Sequence, residues 1–160
     1  MKNFFIHEFH PAVRLFVAEE SGKLTDVLFK TPSSFNPAEL SVSETPLLRE
    51  AKEQLIEYFA GERKVFDLPI SLSGTDFELS CWEALLAIPY AKTQSYAGIA
   101  RAIGRPRAFR AVGGANHRNP IAIIVPCHRV VGSDGSLVGF GGGLDVKKIL
   151  LDLERSNASS

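Results

Sequence analysis

The chain is predicted to be an α+β protein: a small N-terminal sheet with one helix, followed by a mostly helical C-terminal half containing a helix-turn-helix. Three observations predict it. Up to Phe29 apolar and polar residues alternate with the period of strands, interrupted by the turn signal Ser21-Gly22. From Asp76 onward apolar residues recur mainly at helical spacing, in segments closed by proline or glycine. Near Ser73-Gly74 the pattern changes from one to the other, which divides the chain into a scaffold domain at 1–73, a second domain at 74–156 and a tail at 157–160.

The elements follow in order. Phe4 to Phe9, Ala12 to Glu19 and Lys23 to Phe29 read as strands. Thr31 to Pro46 is rich in Ser, Thr and Pro and reads as loop. Leu47, Leu48, Ala51, Leu55 and Phe59 form a helical stripe over Leu47 to Phe59, and Gly61 stops that helix. Val65 to Ile70 is a further short extended piece. Nothing in this half carries obvious chemistry, so it is read as scaffold.

In the second half, Asp76 to Ile88 reads as a helix with Phe77, Cys81, Trp82, Leu85 and Leu86 on one face, ended by Pro89-Tyr90. Cys81 there packs as a small apolar residue. Ser95 is a good N-cap for a helix over Tyr96 to Ile103, which Gly104 ends. Arg105-Pro106 is expected to start a second helix, with Ala108, Ala111, Val112 and Ala115 facing the core and Arg107, Arg110 and Gly114 on the opposite face. Two glycines, Gly113 and Gly114, cost about 1 kcal/mol each in helix propensity, and close approach of another surface is a sensible compensation. Two short helices around a glycine turn form a helix-turn-helix pattern, which by itself is weak evidence for DNA binding. The last helix is capped by Asp145 and buries Val146, Ile149, Leu150 and Leu153; Glu154 is either on its inward side or a frayed surface residue.

Composition bounds the function. The apolar share and charge are those of an ordinary globule, no apolar run reaches the length of a spanning helix, and no signal-peptide pattern is visible. Two cysteines, Cys81 and Cys127, suit a reducing compartment, so a cytoplasmic protein is expected. No cofactor or metal site is expected, and His7 and His10 are weak evidence for one. Net charge is zero but uneven: residues 1–73 hold eight Lys/Arg against eleven Asp/Glu, and residues 74–160 ten against seven. Arg101, Arg105, Arg107 and Arg110 cluster on the helix-turn-helix, where phosphates could be met.

The segment Ile123 to Val131 is the most telling. β-branched residues lead into Pro126, and Cys127 and His128 follow at what reads as the tip of a buried strand. A thiolate is the reactive form, and with a free pKa of about 8.5 it needs help from an imidazole, an arginine or a helix end. A buried structural cysteine is equally compatible with this segment alone. A cysteine hydrolase is disfavoured, because nucleophile and base are adjacent in sequence and no oxyanion-hole loop is evident.

Taken together, Ser95-Tyr96, Arg-Ala-Val-Gly-Gly-Ala at 110–115, Asn119-Pro120, Pro-Cys-His-Arg-Val at 126–130 and Gly-Gly-Leu at 142–144 resemble the methylated-DNA–protein-cysteine methyltransferases, over about Gly74 to Glu154. The resemblance implies a ribonuclease-H-like N-terminal domain, and single-turnover transfer of an alkyl group from the six-oxygen of guanine, or the four-oxygen of thymine, to the protein's own cysteine after base flipping. It implies Cys127 as nucleophile, His128 as base through an ordered water, Glu154 as the partner orienting the imidazole, Tyr96 as donor to the departing guanine, and Asn119 as brace of the turn bearing Cys127. Arg110 would be the finger that fills the gap, while Arg105, Arg107, Ala111, Gly113, Gly114 and Ala115 would meet DNA. Val130, Phe140, Gly141 and Gly142 would line the base pocket, with the carbonyls of Cys127 and Val130 accepting from the guanine amino group. Arg129 is assigned a structural salt bridge. The partner implied is double-stranded DNA carrying alkylated guanine, met by a monomer, with cooperative assembly along DNA left open and nuclear location in a eukaryote. A non-enzymatic lesion-binding relative is the alternative, although such proteins replace the cysteine.

Overall fold

The computed structural model describes residues 2–33, 40–42 and 44–158, with 40–42 described by backbone alone. The chain divides into two compact units, Met1–Leu72 and Ser73–Ser160.

In the first unit, β1 (Lys2–His10), β2 (Val13–Glu20) and β3 (Lys23–Leu28) form an antiparallel meander. Ser21 and Gly22 join β2 to β3, both at positive φ (53° and 80°), the hairpin turn their residue types favour. A fourth strand, β4 (Leu40–Val42), adds parallel to β1 and completes the order β3-β2-β1-β4. It lies in the segment expected to be loop, because pairing to a distant edge is not visible in local composition. Helix α1 (Pro46–Phe59) is capped by Thr45, whose hydroxyl accepts from the Leu48 amide at 3.1 Å, with Pro46 in the first turn. It buries Leu48, Ala51, Leu55 and Tyr58, and Gly61 follows its end at φ 76°. The buried Gln54 pins residues 65–70 by a reciprocal pair with the Asp67 backbone, at 3.1 and 2.9 Å. Of the extended piece expected there, only a bridge between Leu24 and Ile70 forms.

The second unit begins with α2 (Asp76–Leu86), whose Thr75 and Glu78 form a reciprocal capping box. Cys81, Trp82 and Leu85 are buried, whereas Leu86, expected on the same face, is exposed. The Trp82 indole donates to the Ala115 carbonyl at 2.9 Å, fixing α2 behind the second helix of the helix-turn-helix. Strand β5 (Gln94–Ser95) leads into α3 (Tyr96–Ala102), capped by the Ser95 hydroxyl accepting from Gly98 at 2.9 Å. Gly104, at φ 77°, turns the chain. The next helix starts later than expected: Arg105 to Ala108 close a turn through the Ala108 amide, and α4 runs Phe109–His117. Ala111 is consequently exposed rather than core-facing, while Val112 and Ala115 are buried.

The segment expected to be a buried strand is a strained turn instead. Ile123 sits at φ 70°, a cost of about 1–3 kcal/mol for a β-branched residue. Cys127–Arg129 then form one 3-10 turn, and only β6 (Val130–Val131) is extended, pairing parallel to β5. Helix α5 (Leu144–Ser156) opens on Gly143 at φ 95°, with Asp145 in its first turn and no side-chain cap. Its buried face is Val146, Lys147, Leu150, Leu151 and Glu154; Ile149 and Leu153 are only partly buried.

Candidate functional site

The 3-10 turn carries Cys127 and His128 into the core of the second unit, where the cysteine is 5 % exposed and the imidazole 0 %. Asn119 braces the strained turn before them: its amide nitrogen donates to the Val125 carbonyl at 2.8 Å, and its oxygen accepts from the Ile121 amide at 3.0 Å. These two bonds hold the Ile121-to-Val125 backbone in a shape that its β-branched residues would not adopt unaided.

Glu154 comes from the last turns of α5 and is fully buried, so the inward alternative is the one realised. Its Oε2 lies 2.6 Å from His128 Nε2, which places the imidazole proton on that nitrogen. The same carboxylate accepts from Arg129 at 2.8 and 3.1 Å and from the Ala91 amide at 3.0 Å. Arg129 also donates to the Ile88 carbonyl at 2.8 Å, so the guanidinium performs the structural pairing expected of it. Burial alone would raise the Glu154 carboxyl, but the His128 and Arg129 contacts outweigh it and hold the group well below the usual carboxylate range. Burial lowers His128, with Glu154 opposing, so the ring is neutral in the resting site. Its Nδ1 is buried and, among the described residues, has no hydrogen-bond partner. It is a basic nitrogen held ready, with its opposite side anchored.

Burial pushes the Cys127 thiol up, and Asn119 and Lys147 pull the other way. Lys147 was not singled out from sequence. Its ammonium is buried among backbone carbonyls, donating to Val130 at 2.5 Å and Val138 at 3.0 Å, beneath the rings of Tyr96 and Phe140 at 5.9 Å each. Burial lowers it, partly offset by Cys127. The site thus holds one positive charge positioned to favour a thiolate. Replacing it by Met should leave the Val130 carbonyl without that donor, at about 1–3 kcal/mol, and lower Tm by roughly 2–10 °C. The pH profile of Cys127 alkylation by iodoacetamide should move to higher pH; an unmoved profile would exclude this electrostatic role.

Tyr96, the first residue of α3, is half-buried and donates to the Val138 carbonyl at 3.0 Å. Burial and then Cys127 raise its phenol, with Asn116 opposing. The loop bearing Val138 is therefore held by Tyr96 and Lys147 together. The two carbonyls expected to receive the guanine amino group already have donors: Cys127 accepts from the Val130 amide and from Asn116 at 3.3 Å, and Val130 accepts from Lys147. Asn116, also missed from sequence, sits next to the helix-turn-helix glycines, where a polar residue reads as surface. Phe140 and Gly142 are partly buried and Gly141 exposed on the loop leading to α5.

On the outer side, Tyr96, Phe109, Arg110, Gly113, His117, Val138 and Gly139 line an open groove of about 420 Å³. Arg105, Arg107 and Arg110 are exposed, as is Ala111. Ala115, expected to meet DNA, is 1 % exposed and packs inward, its carbonyl held by Trp82. Gly114 faces Arg118: a Cβ there would lie 3.0 Å from the guanidinium, which is itself paired to Glu78 at 2.6 Å. That glycine makes room for an intramolecular ion pair as well as for any outside surface. No helix is long and apolar enough to cross a membrane, and no group of three or more metal-ligating side chains that could hold an ion occurs among the described residues.

Residues 76–156 match the profile of the 6-O-methylguanine DNA methyltransferase DNA binding domain, and residues 11–72 that of the ribonuclease-like domain of the same name. The methylated-DNA–protein-cysteine methyltransferase of Bacillus subtilis, constitutive, is 45 % identical over 158 residues, covering 96 % of each chain. That of Methanosarcina barkeri is 55 % identical over 116 residues, 72 % of this chain and 73 % of the relative. The crystal structure of Mycobacterium tuberculosis O6-methylguanine methyltransferase is 43 % identical and superposes with a TM-score of 0.85, covering 98 % of this chain and 94 % of that one. A structure of the Mycobacterium tuberculosis protein in complex with DNA is also 43 % identical with a TM-score of 0.85, covering 98 % of this chain and 93 % of that one.

Proposed function

Since the chain belongs to the methylated-DNA–protein-cysteine methyltransferase family, we infer that it repairs DNA by direct reversal, taking the alkyl group of 6-O-alkylated guanine onto Cys127. The observation that carries the residue assignment is the buried Cys127-His128 turn anchored by Glu154 at 2.6 Å, with the second imidazole nitrogen left free to accept a proton.

The target oxygen is unreachable inside a stacked duplex, so the base must be rotated out, at a few kcal/mol, toward the pocket. The thiol proton passes to His128 Nδ1 through a bridging water, and the resulting imidazolium is stabilised by the Glu154 carboxylate. The Cys127 sulfur then forms a bond to the alkyl carbon as the carbon–oxygen bond breaks, and that electron pair stays on guanine. Tyr96 donates a proton toward the departing base, which leaves as neutral guanine. The phenol must first release the Val138 carbonyl, so base entry and loosening of that loop are coupled. The proton held on His128 then returns through water to the Tyr96 phenolate, so the proton lost by sulfur balances the one gained by guanine and both side chains are reset. No electrons are transferred to an outside acceptor, and no diffusible cofactor takes part. The thioether is stable, so one chain performs one transfer.

The Val130 carbonyl, which accepts from Lys147, keeps its second lone pair for the guanine amino group, whereas the Cys127 carbonyl, which already accepts from the Val130 amide and from Asn116, can join it only if Asn116 shifts. Arg110 enters the gap left by the base, with Arg105 and Arg107 on phosphates. The protein acts as a monomer in the compartment that holds the chromosome. A lesion-binding protein without transfer is the weaker reading, because Cys127, His128 and Glu154 are all present and assembled.

Intact-protein mass after mixing with a duplex carrying one 6-O-methylguanine tests this. The expected result is a gain of one methyl, mapped to Cys127 and stopping at one per chain. Tight binding with no mass gain would make the protein a lesion sensor instead.

A further inference from the structure

Phe109 opens α4 and is 47 % exposed, on a helix face it shares with Arg110, Gly113 and His117. The ring lines the same groove as Tyr96 and Arg110. The Arg110 guanidinium lies over the ring, 5.9 Å from its centroid, so cation and aromatic face are paired at the groove. Arg101, Arg105 and Arg107, within eight residues of Phe109 on the same helix-turn-helix, are exposed as well. An isolated exposed phenylalanine is ordinary on a protein surface. One placed beside a pocket, within a basic cluster and on a helix of a DNA-binding domain, has a specific use.

We propose that Phe109 is an aromatic wedge that inserts into DNA at the lesion together with Arg110, stacking on the base adjacent to the gap. This rests on the reading of the chain as a base-flipping repair protein. Apolar side chains that enter from the minor groove unstack neighbouring base steps, and aromatic stacking recovers part of what unstacking costs. Arg110 alone would fill the gap with a hydrated cation. The phenyl ring adds a dry face that keeps the neighbouring base from collapsing back. The exposed Ala111 and the small Gly113 let the helix approach closely enough for the ring to reach.

The test uses the full chain and a duplex with one 6-O-methylguanine and 2-aminopurine as the adjacent base, comparing wild type, Phe109→Ala and Phe109→Trp. Phe109→Ala should weaken binding to this duplex about tenfold, as the loss of one base–aromatic stack does, without changing the slope of affinity against salt, since no phosphate contact is removed. In saturated complexes 2-aminopurine fluorescence should differ between wild type and the alanine variant, and Phe109→Trp should restore both affinity and signal. Wild-type affinity and fluorescence for Phe109→Ala would overturn the proposal, and so would a tryptophan variant as weak as the alanine one. Failure of the wild-type chain to bind or to accept methyl would instead remove the repair reading beneath it.

Discussion

Cys127→Ser is expected to abolish methyl transfer, by at least about a thousandfold in rate, while binding to a lesion-bearing duplex stays within a few-fold of wild type. The hydroxyl is nearly the size of the thiol, and the site already contains the groups that would partner it: Asn119 beside the sulfur and the Lys147 ammonium nearby. Little packing is disturbed, so Tm should move by only a few degrees. What is lost is acidity and polarisability. Burial raises the thiol, yet the Lys147 ammonium favours the thiolate and a neutral His128 can accept the proton, whereas a serine hydroxyl lies far beyond what an imidazole of lowered basicity can ionise. Cys81 is the control. It is 1 % exposed in α2, and burial and then Glu78 push its thiol up. Cys81→Ser should therefore transfer at the wild-type rate. Alkyl mapped to Cys81, or transfer persisting in Cys127→Ser, would overturn the assignment of the nucleophile.

The parts of this structure that were legible in the sequence are those fixed by local chemistry. Ser95, Gly61 and Gly104 mark helix ends by a side chain or a backbone freedom that acts within three or four residues. The alternation of β1 to β3 and the turn at Ser21-Gly22 are equally local. Other features depended on distant partners and were read wrongly or missed. Ile123 to Val125 has the composition of a strand, but Asn119 and the positive φ at Ile123 impose a turn. Proline at 106 is a good first-turn residue, yet the Arg105-to-Ala108 turn delays α4 to Phe109. Lys147 was passed over because a charge on a helix usually faces water. Its position with Leu150, Leu151 and Glu154 at helical spacing was the available signal that it faces inward. Cys127, His128, Glu154, Tyr96 and Asn119 lie near one turn, whereas the contacts of Lys147 and Asn116, the donors already on the Cys127 and Val130 carbonyls and the inward packing of Ala115 depend on distant partners and were hidden.

Glu154→Gln is expected to slow transfer by about 10²–10⁴-fold and to destabilise the protein in a pH-dependent way. Glutamine can still accept from the Ala91 amide, but it cannot stabilise the imidazolium that forms when His128 takes the thiol proton. Losing the carboxylate also removes the influence that opposes burial at His128, so the ring becomes a weaker base. Arg129 is left as a buried cation without its anion, which costs about 3–5 kcal/mol out of a total stability of about 5–15 kcal/mol. Adding Arg129→Met removes that stranded charge. The double variant should regain stability but not rate, which separates the chemical role from the structural one. The stability difference from wild type has a definite sign with pH. In the folded protein the Glu154 carboxyl lies well below its unfolded value of about 4.3. Its contribution is therefore complete above that pH and is lost as pH falls toward the lowered folded value. His128 is held neutral, so the unfolded chain takes up that proton first, and both proteins also weaken as pH falls through about 6.5. Thermal melts from pH 7 to pH 3 should show the gap between wild type and Glu154→Gln narrowing below pH about 4, where the wild-type carboxylate contribution is lost. A gap of constant size would mean that the carboxylate is not what holds this site together, and a normal transfer rate in the double variant would remove Glu154 from the reaction.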